Sequence, residues 1–334
     1  MSMGELRRHK GPAIVALGGG HGLSAILRGL KLYTDDLTAI VTVADDGGGS
    51  GMLREDLGMP PPGDIRNCME ALADTESLMQ QLLAYRFPDG RLAGQAFGNL
   101  LLAALDGVCD SFDQAVARMS EVLAITGRIL PVTNANVQLE ASFENGSSVR
   151  GESKISAAKK EQNCRIHHVR LLPEHTPALP AALDAIRQAE VILLGPGSLY
   201  TSVIPNLLVD GISEAIADSP ALKIYVCNIM TQDGETEGMT AQDHVSALLE
   251  HGGPGLVDLC LCNSDPISRE LLERYSAEDA EPMRVDRREV ELLGAEVVYR
   301  PLMDMDCGYA RHSGVKVAQA VVELYQQRAD TKIF

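Results

Sequence analysis

Two short apolar runs, each followed at once by a glycine-rich turn, constrain the fold of this chain most strongly. The first run, Ala13–Leu17, leads into GGGHG, and the second, Thr38–Val43, leads into ADDGGGSG. Short apolar runs bounded by turn residues are typical of buried parallel strands. A glycine turn that opens a helix presents unpaired backbone N–H groups, which bind anions. The pattern therefore predicts a phosphorylated ligand, with a nucleotide as the first choice.

Strand and helix patterns alternate along most of the chain. In the second half, apolar strands at Val191–Leu194 and Lys223–Cys227 are flanked by helical segments. Such alternation predicts an α/β, Rossmann-like fold, a mostly parallel sheet with helices on both faces. We predict one domain over residues 1–334, with a helical insertion at about 65–127 and a β excursion at about 129–172.

Three local predictions follow from the same patterns. Within residues 129–172, the segments ILPVT, VQLEASFENGSSVRG and IHHVRLL are expected to be strands, with a hairpin turn at Asn145-Gly146. A helix is expected near Asn206–Ala217, and Asp64 is expected to cap a helix after the prolines at 60–62.

Composition excludes several classes of partner. The net charge is -17, which argues against nucleic acid and anionic membranes as binding surfaces. No apolar run approaches the roughly 18 residues of a membrane span, so we expect no membrane insertion. The seven cysteines include no CxxC pair, which favours reduced thiols and a cytoplasmic location. Cys260 and Cys262 alternate along a strand, and we interpret them as small buried hydrophobic residues.

The first glycine turn is a weak match to a dinucleotide-binding fingerprint. Leu23 stands where that fingerprint has its third glycine, so an NAD-dependent oxidoreductase is the least favoured of the functions considered. A tight strand-to-helix turn would explain the glycines by sterics alone. We favour a ligand site because similar turns follow later strands. The candidate ligand-binding residues of this turn are Gly18, Gly19, Gly20, His21 and Gly22.

The second turn adds paired carboxylates, Asp45 and Asp46, to its glycines. Adjacent carboxylates repel each other unless a hydrogen-bond donor or a metal compensates them. Mg²⁺ binds one or two carboxylates together with substrate phosphates, so magnesium is the one cofactor expected here, while an exposed acidic turn is the alternative. If the protein is an enzyme, the same two aspartates are the candidate catalytic residues. The turn also contributes the candidate ligand-binding residues Gly47, Gly48 and Ser50.

Polar residues after later strands are expected at the same edge of the sheet. The segment GPGSLYTS follows Val191–Leu194 and combines glycine N–H groups with hydroxyls, as a phosphate cradle requires. Asn228 follows the next strand. Asn99 begins an apolar helix, and a buried cap and a ligand contact are equally good interpretations of it. The candidates from the GPGSLYTS segment are Gly195, Gly197, Ser198, Leu199, Tyr200 and Thr201.

With these motifs assembled, the chain resembles the YvcK-type gluconeogenesis factors, within the larger family that includes 2-phospho-L-lactate transferase (CofD). The resemblance implies a Rossmann-like sheet, a cytoplasmic location and a nucleotide-type ligand. Proteins of the YvcK type are similar to binders of UDP-sugars such as UDP-N-acetylglucosamine, and they support cell shape and peptidoglycan synthesis on gluconeogenic carbon. The matching segments are ALGGGHGLSAILRGLK, TAIVTVADDGGGSGMLR, PPGDIRNCMEALA, GNLLLAAL, ILPVT, GPGSLYTSVIPNLLV and NIMTQDGETEGMTAQDHV.

The resemblance also implies which positions contact the ligand. It carries over the glycines of the first two turns, Asp45, Asp46, Asn206 and Arg311. Two positions depart from the family pattern. His21 stands where the family commonly has threonine, and Gly49 stands where it commonly has serine, so each position lacks a hydroxyl group. The expected partner is a UDP-sugar or another nucleotide-diphosphate ligand, and a homo-oligomer is left open.

The family contains a second activity, which gives an alternative function. Its transferase branch moves 2-phospholactate from a guanosine diphosphate carrier to a deazaflavin alcohol, with magnesium. The favoured function is a UDP-sugar-binding regulator of morphogenesis, and the alternative is a magnesium-dependent transferase of a phosphorus-containing group. Both require the separate turns to converge at one rim of the sheet.

Overall fold

A computed structural model describes residues 11–74, 77–304 and 308–331 of the chain. The strands are β1 (Ile14–Gly18), β2 (Leu37–Val41), β3 (Arg128–Pro131), β4 (Gln138–Phe143), β5 (Ser148–Arg150), β6 (Ile166–Leu172), β7 (Val191–Leu194), β8 (Leu222–Val226), β9 (Leu259–Asn263), β10 (Glu296–Arg300), β11 (Met303–Asp304) and β12 (Arg311–His312).

Helices connect most of these strands. They are α1 (Gly20–Leu30), α2 (Gly48–Leu57), α3 (Gly63–Leu72), α4 (Ser77–Ala84), α5 (Phe97–Asp106), α6 (Phe112–Val122), α7 (Glu152–Gln162), α8 (Pro180–Gln188), α9 (Ile204–Leu207), α10 (Ile212–Asp218), α11 (Ala241–Gly252), α12 (Arg269–Ser276), α13 (Arg287–Leu292) and α14 (Gly314–Thr331). A 3₁₀ turn at Gly90–Leu92 and a π-helical turn at Leu199–Val203 complete the helical segments of the described residues.

Seven parallel strands form the central sheet, in the order β10-β9-β8-β7-β1-β2-β3. Every residue of β1, β2, β7 and β8 is buried, which explains why these strands appear in the sequence as continuous apolar runs. The parallel sheet with its connecting helices confirms the predicted Rossmann-like α/β fold.

The strand order reverses beside β1. From β1 the chain proceeds outward through β2 and β3, and it then returns to place β7 on the other side of β1. In open α/β sheets a crevice forms at such a reversal, outside the carboxyl ends of the strands, and ligands bind there. The turns after β1 and β7 flank this point, so the topology itself selects the edge that carries the predicted glycine turns.

A three-stranded antiparallel sheet, β5-β4-β6, lies outside the central sheet. The predicted hairpin turn at Asn145-Gly146 is present between β4 and β5. The three predicted strand segments are confirmed as β3, β4 with β5, and β6. Strand β3 pairs with β2 in the central sheet, and α7, which was not predicted, lies between β5 and β6. Whether the chain forms one domain stays a prediction.

The helix predicted near Asn206–Ala217 is divided in the structure. The π-helical turn and α9 end before Leu208, and Gly211, with a φ of 86°, separates them from α10. A positive φ at this position interrupts a continuous helix. The apolar core spans both halves of the chain, from Ile14 to Leu324. None of the helices in the described ranges is both long and hydrophobic enough to span a bilayer.

Candidate functional site

The turn after β1 packs tightly against its neighbours. A Cβ atom at Gly19 would lie 2.5 Å from Asp64 Oδ2 and 2.8 Å from Thr42 Cγ2, and one at Gly22 would lie 2.4 Å from the Pro196 carbonyl oxygen. Only glycine permits these approaches. The turns after β1 and β7 therefore meet at the strand-order reversal. Gly18 and Gly19 are buried, whereas Gly20, His21 and Gly22 reach the surface.

Asp64 occupies the position at the start of α1 where an external anion could bind. Pro62 is the N-cap of α3, so the prediction that Asp64 caps this helix is wrong. Its carboxylate instead accepts a hydrogen bond from the Gly20 N–H group. Burial, together with the negative charge of Asp45, raises the pKa of Asp64 to about 6.

The paired aspartates diverge toward two helix starts. Asp45 Oδ1 accepts the Gly47 N–H at 2.8 Å, and its carboxylate also accepts the Ser50 hydroxyl, at the beginning of α2. Asp46 Oδ1 accepts the Ser153 N–H at 2.8 Å, at the beginning of α7. Burial raises the pKa of Asp45 above its usual range. Hydrogen bonds from two separate helices thus compensate the repulsion between the adjacent charges.

Glu152 joins this acidic region from α7. Burial, together with the negative charges of Asp45, Glu235, Asp46 and Asp64, raises its pKa to about 8. Near neutral pH the Glu152 carboxyl therefore holds a proton in the folded protein. Five acidic groups from distant parts of the chain share one region of the carboxyl edge.

The turn after β7 donates its N–H groups to a carboxylate of the chain itself. Glu235 Oε1 accepts the Tyr200 N–H at 2.5 Å and the Thr201 N–H at 3.2 Å. Burial raises the pKa of Glu235 to about 7, although these hydrogen bonds oppose the shift. Ser198 donates its hydroxyl to Gln232 Oε1 at 2.8 Å. The N–H pair expected to cradle a phosphate thus holds an internal carboxylate, while Gly195, Leu199 and Tyr200 are buried.

Two predicted asparagines join the strand ends to each other. Asn206 is fully buried and donates from Nδ2 to the Gly18 carbonyl at 3.2 Å and to the Ser202 carbonyl at 2.8 Å. Its Oδ1 is buried without a hydrogen-bond partner. Asn228 donates to the Gly197 carbonyl at 2.9 Å and accepts from the Gly197 N–H at 3.4 Å. Both asparagines therefore tie the turns after β1, β7 and β8 together.

Asn99 is buried behind this edge. Its Oδ1 accepts Arg66 Nε at 2.9 Å, and the remaining guanidinium donors of Arg66 contact Glu70 and Asn67. Asn99 therefore holds the buried Arg66 side chain in position and does not lie at the accessible surface.

Positive charge also acts on the turn after β1. Partial burial lowers the pKa of His21, and the charges of Arg311, Arg66, Arg28 and Arg86 lower it further. His21 and Arg311 are both exposed. Arg311 therefore lies close enough to the turn to act on it electrostatically, although residues 21 and 311 are far apart in the chain. A phosphate beside His21 would experience this attractive field.

The accessible candidates thus gather at the starts of α1 and α2. In the first turn of any α-helix the N–H groups lack intrahelical acceptors, and in α2 these belong to Gly48, Gly49 and Ser50. Gly20, His21, Gly22, Gly47 and Gly48 lie at the surface of this region.

The sequence prediction did not include Asp64, Glu152 or Glu235 among the site residues. Only one signal pointed to them: each is an acidic residue beside a glycine turn or after a predicted strand.

Magnesium fits this region only with help from a ligand. Among the described residues, no three acidic side chains bring their oxygen atoms close enough to share one ion. Asp45 and Asp46 could supply two carboxylates, and Mg²⁺ commonly completes its coordination with substrate phosphates and water. The donor set therefore suits a nucleotide-dependent magnesium site rather than a permanent one.

Comparison with known proteins identifies the family. Residues 14–303 match the sequence profile of the family described as 2-phospho-L-lactate transferase CofD. A gluconeogenesis factor from Bacillus subtilis is 47% identical over 317 residues, which cover 95% of this chain and 99% of that protein. A gluconeogenesis factor from Halalkalibacterium halodurans is 47% identical over 311 residues, covering 93% of this chain and 95% of that protein.

A solved structure agrees with this relationship. A crystal structure of a Bacillus halodurans protein superimposes on this chain with a TM-score of 0.91 at 46% sequence identity. The match covers 94% of this chain and 100% of that chain. The resemblance inferred from the sequence motifs is confirmed. The chain belongs to the CofD family, among its YvcK-type gluconeogenesis factors.

Proposed function

We propose that the protein is a cytoplasmic regulator that binds a nucleotide sugar, with a UDP-sugar as the ligand, and supports cell morphogenesis and peptidoglycan synthesis during gluconeogenic growth. The name of its relatives, gluconeogenesis factor, supports the metabolic setting. The resemblance of its motifs to those of UDP-sugar-binding proteins supports the ligand class. The observation that carries the proposal is that glycine-rich turns open α1 and α2 at the carboxyl ends of the neighbouring strands β1 and β2, beside the reversal of strand order.

In this proposal the diphosphate binds across the starts of α1 and α2. The unpaired N–H groups of Gly48, Gly49 and Ser50 provide donors on one side. The exposed His21 imidazole and the field of Arg311 provide attraction on the other. The turn after β7 forms a wall of the crevice and does not bind the phosphates through its Tyr200 and Thr201 N–H groups, because Glu235 already accepts both.

A charge substitution tests this placement. His21→Glu puts a negative charge where the diphosphate is proposed to bind. Gln326→Glu is the matched control, because Gln326 is exposed on α14 beside Gly11, Pro12 and Glu190, at the amino edge of the sheet. Isothermal titration calorimetry with UDP-N-acetylglucosamine should show binding by the wild-type chain and by Gln326→Glu. His21→Glu should bind at least ~10-fold more weakly, equivalent to about 1.4 kcal/mol.

The outcomes test the identity of the ligand and the position of its binding site separately. If the wild-type chain releases no heat at millimolar UDP-N-acetylglucosamine, the proposed ligand is wrong. If it binds but His21→Glu binds equally well, the ligand does not place its diphosphate at the start of α1.

The acidic region supports a second candidate function, a magnesium-dependent transferase of a phosphorus-containing group. Glu152, with a pKa raised to about 8, and Asp64, with a pKa raised to about 6, have proton affinities suited to acid–base chemistry near neutral pH. Magnesium held by Asp45, Asp46 and the diphosphate would neutralise phosphate charge. The protein would supply positioning of donor and acceptor at the crevice.

The aspartate turn distinguishes the two functions. Asp46→Asn retains an oxygen that can accept the Ser153 N–H but removes the negative charge. If the protein is a transferase, the wild-type chain should release nucleotide from a nucleoside-diphosphate-linked donor. Asp46→Asn should no longer catalyse this release, although it should bind the donor only a few-fold more weakly. Equal losses in turnover and binding would exclude a chemical role for Asp46. A wild-type chain with no turnover would leave the regulatory function as the conclusion.

A further inference from the structure

Three thiols that are separated in sequence meet on one face of the central sheet. Strand pairing aligns Tyr225 of β8 with Cys260 of β9, and the register then brings Cys227 beside Cys262. The Cys227 N–H donates to the Leu261 carbonyl at 3.0 Å, which extends this pairing past the end of β8. Alternate residues of a strand share a face, so Cys227, Cys260 and Cys262 point to the same side.

The spacing of the sulfur atoms suits a metal ion. The three Sγ atoms lie within 4.8 Å of one another, and this is the only group of three or more metal-ligating side chains found among the described residues. The Cys260 and Cys262 Sγ atoms are 3.7 Å apart. Zinc–sulfur bonds of ~2.3 Å in a tetrahedron place sulfur atoms about 3.8 Å apart. Small side-chain adjustments would therefore bring all three sulfurs to bonding distance.

The thiols are buried but adjoin an opening. Cys227, Cys260 and Cys262 are at most 2% exposed. A cavity of about 340 Å³ is lined by Cys227 and Cys262, together with Asn228, Asn263 and Asp265. The cavity provides a route for an ion and space for a fourth ligand, which a tetrahedral site with three protein thiolates requires.

We propose that Cys227, Cys260 and Cys262 form a binding site for a thiophilic metal ion, with Zn²⁺ as the ion that fits the sulfur spacing. The fourth coordination position faces the cavity. Soft thiolate ligands select Zn²⁺ and Cu⁺ over Mg²⁺ and Ca²⁺, so this site is chemically distinct from a magnesium site at the aspartate turn. The proposal does not depend on nucleotide binding.

Cadmium titration of the reduced full chain tests the proposal, because Cd²⁺–thiolate bonds absorb in the ultraviolet. The wild-type chain should bind one equivalent of Cd²⁺ with a charge-transfer band, and prior loading with one equivalent of Zn²⁺ should raise the Cd²⁺ concentration needed to produce that band. Cys262→Ser and Cys260→Ser should each bind at least ~10-fold more weakly. Cys68→Ala is the matched control, since Cys68 is a fully buried thiol of α3 outside the group, and it should bind like the wild type.

Alkylation of the wild-type chain gives a readout that needs no variant to fold. Added Zn²⁺ should slow the modification of Cys227, Cys260 and Cys262, as measured by mass spectrometry of their peptides, and should leave the half-buried Cys164 unchanged. The proposal is overturned if Zn²⁺ protects none of the three thiols, or if the cadmium band persists in a Cys260→Ser/Cys262→Ser double variant. Equal loss of the band in Cys68→Ala would also overturn it.

Discussion

Replacing Glu235 with glutamine should remove a pH-dependent part of the protein's stability. Burial raises the pKa of Glu235 from 4.5 to about 7 in the folded protein. The folded state therefore binds the proton more tightly than the unfolded state does. The resulting stabilisation is complete below about pH 4.5 and is lost as the pH rises through about 7. At 1.36 kcal/mol for each pKa unit, the change from 4.5 to about 7 corresponds to about 3 kcal/mol.

Urea unfolding at pH 5 and pH 8 measures this contribution. The wild-type free energy of unfolding should fall over this interval, and the fall should be about 2.5 kcal/mol smaller in Glu235→Gln, because part of the stabilisation is already lost at pH 5. Glutamine keeps an oxygen that can accept the Tyr200 and Thr201 N–H groups. Glu161→Gln, at an exposed position of α7, is the control and should behave like the wild type.

The free energy of unfolding of Glu235→Gln should still fall somewhat between pH 5 and pH 8, because the raised pKa values of Asp64 and Glu152 act in the same direction. If Glu235→Gln shows the same difference between pH 5 and pH 8 as the wild type, the carboxyl does not titrate as its burial requires.

Two further substitutions test the packing behind the site. Gly19→Ala should lower the free energy of unfolding by about 1–3 kcal/mol in urea, because its Cβ would clash with Asp64 and Thr42. Gly18→Ala should cost less, since its Cβ would meet only Leu23 at 3.6 Å, and equal costs would contradict this packing. Asn206→Ala should cost about 1–3 kcal/mol in thermal or urea unfolding, because the Gly18 and Ser202 carbonyls each lose a hydrogen bond from the buried Asn206 amide. An unchanged transition would contradict the proposed tie between the turns.

The fold was largely predictable where burial produces a strong sequence pattern. The strand Val191–Leu194 was predicted with its observed bounds, because both faces of a central parallel strand are apolar. Helix α7 was missed because only Ile155 and Lys159 of its eleven residues are buried, so it lacks a clear apolar stripe. Its position depends on tertiary contacts that a local pattern does not contain.

The site was predictable only in part, for a different physical reason. Glycine turns after strands mark the edge of the sheet, but they do not show what their N–H groups bind. In the structure, Asp64 reaches Gly20 and Glu235 reaches Tyr200 and Thr201. These contacts join residues more than thirty positions apart, as does the meeting of Cys227 with Cys260 and Cys262. Sheet order and register determine them, and neither can be read from spacing in a single sequence.

A crystal structure of the protein with UDP-N-acetylglucosamine and magnesium would test the central claim most directly. We expect the diphosphate to lie against the N–H groups at the start of α2, with His21 of α1 beside it and any magnesium between the phosphates and the Asp45-Asp46 turn. A ligand bound away from these two helix starts, or a crevice too shallow to hold the nucleotide, would contradict the account.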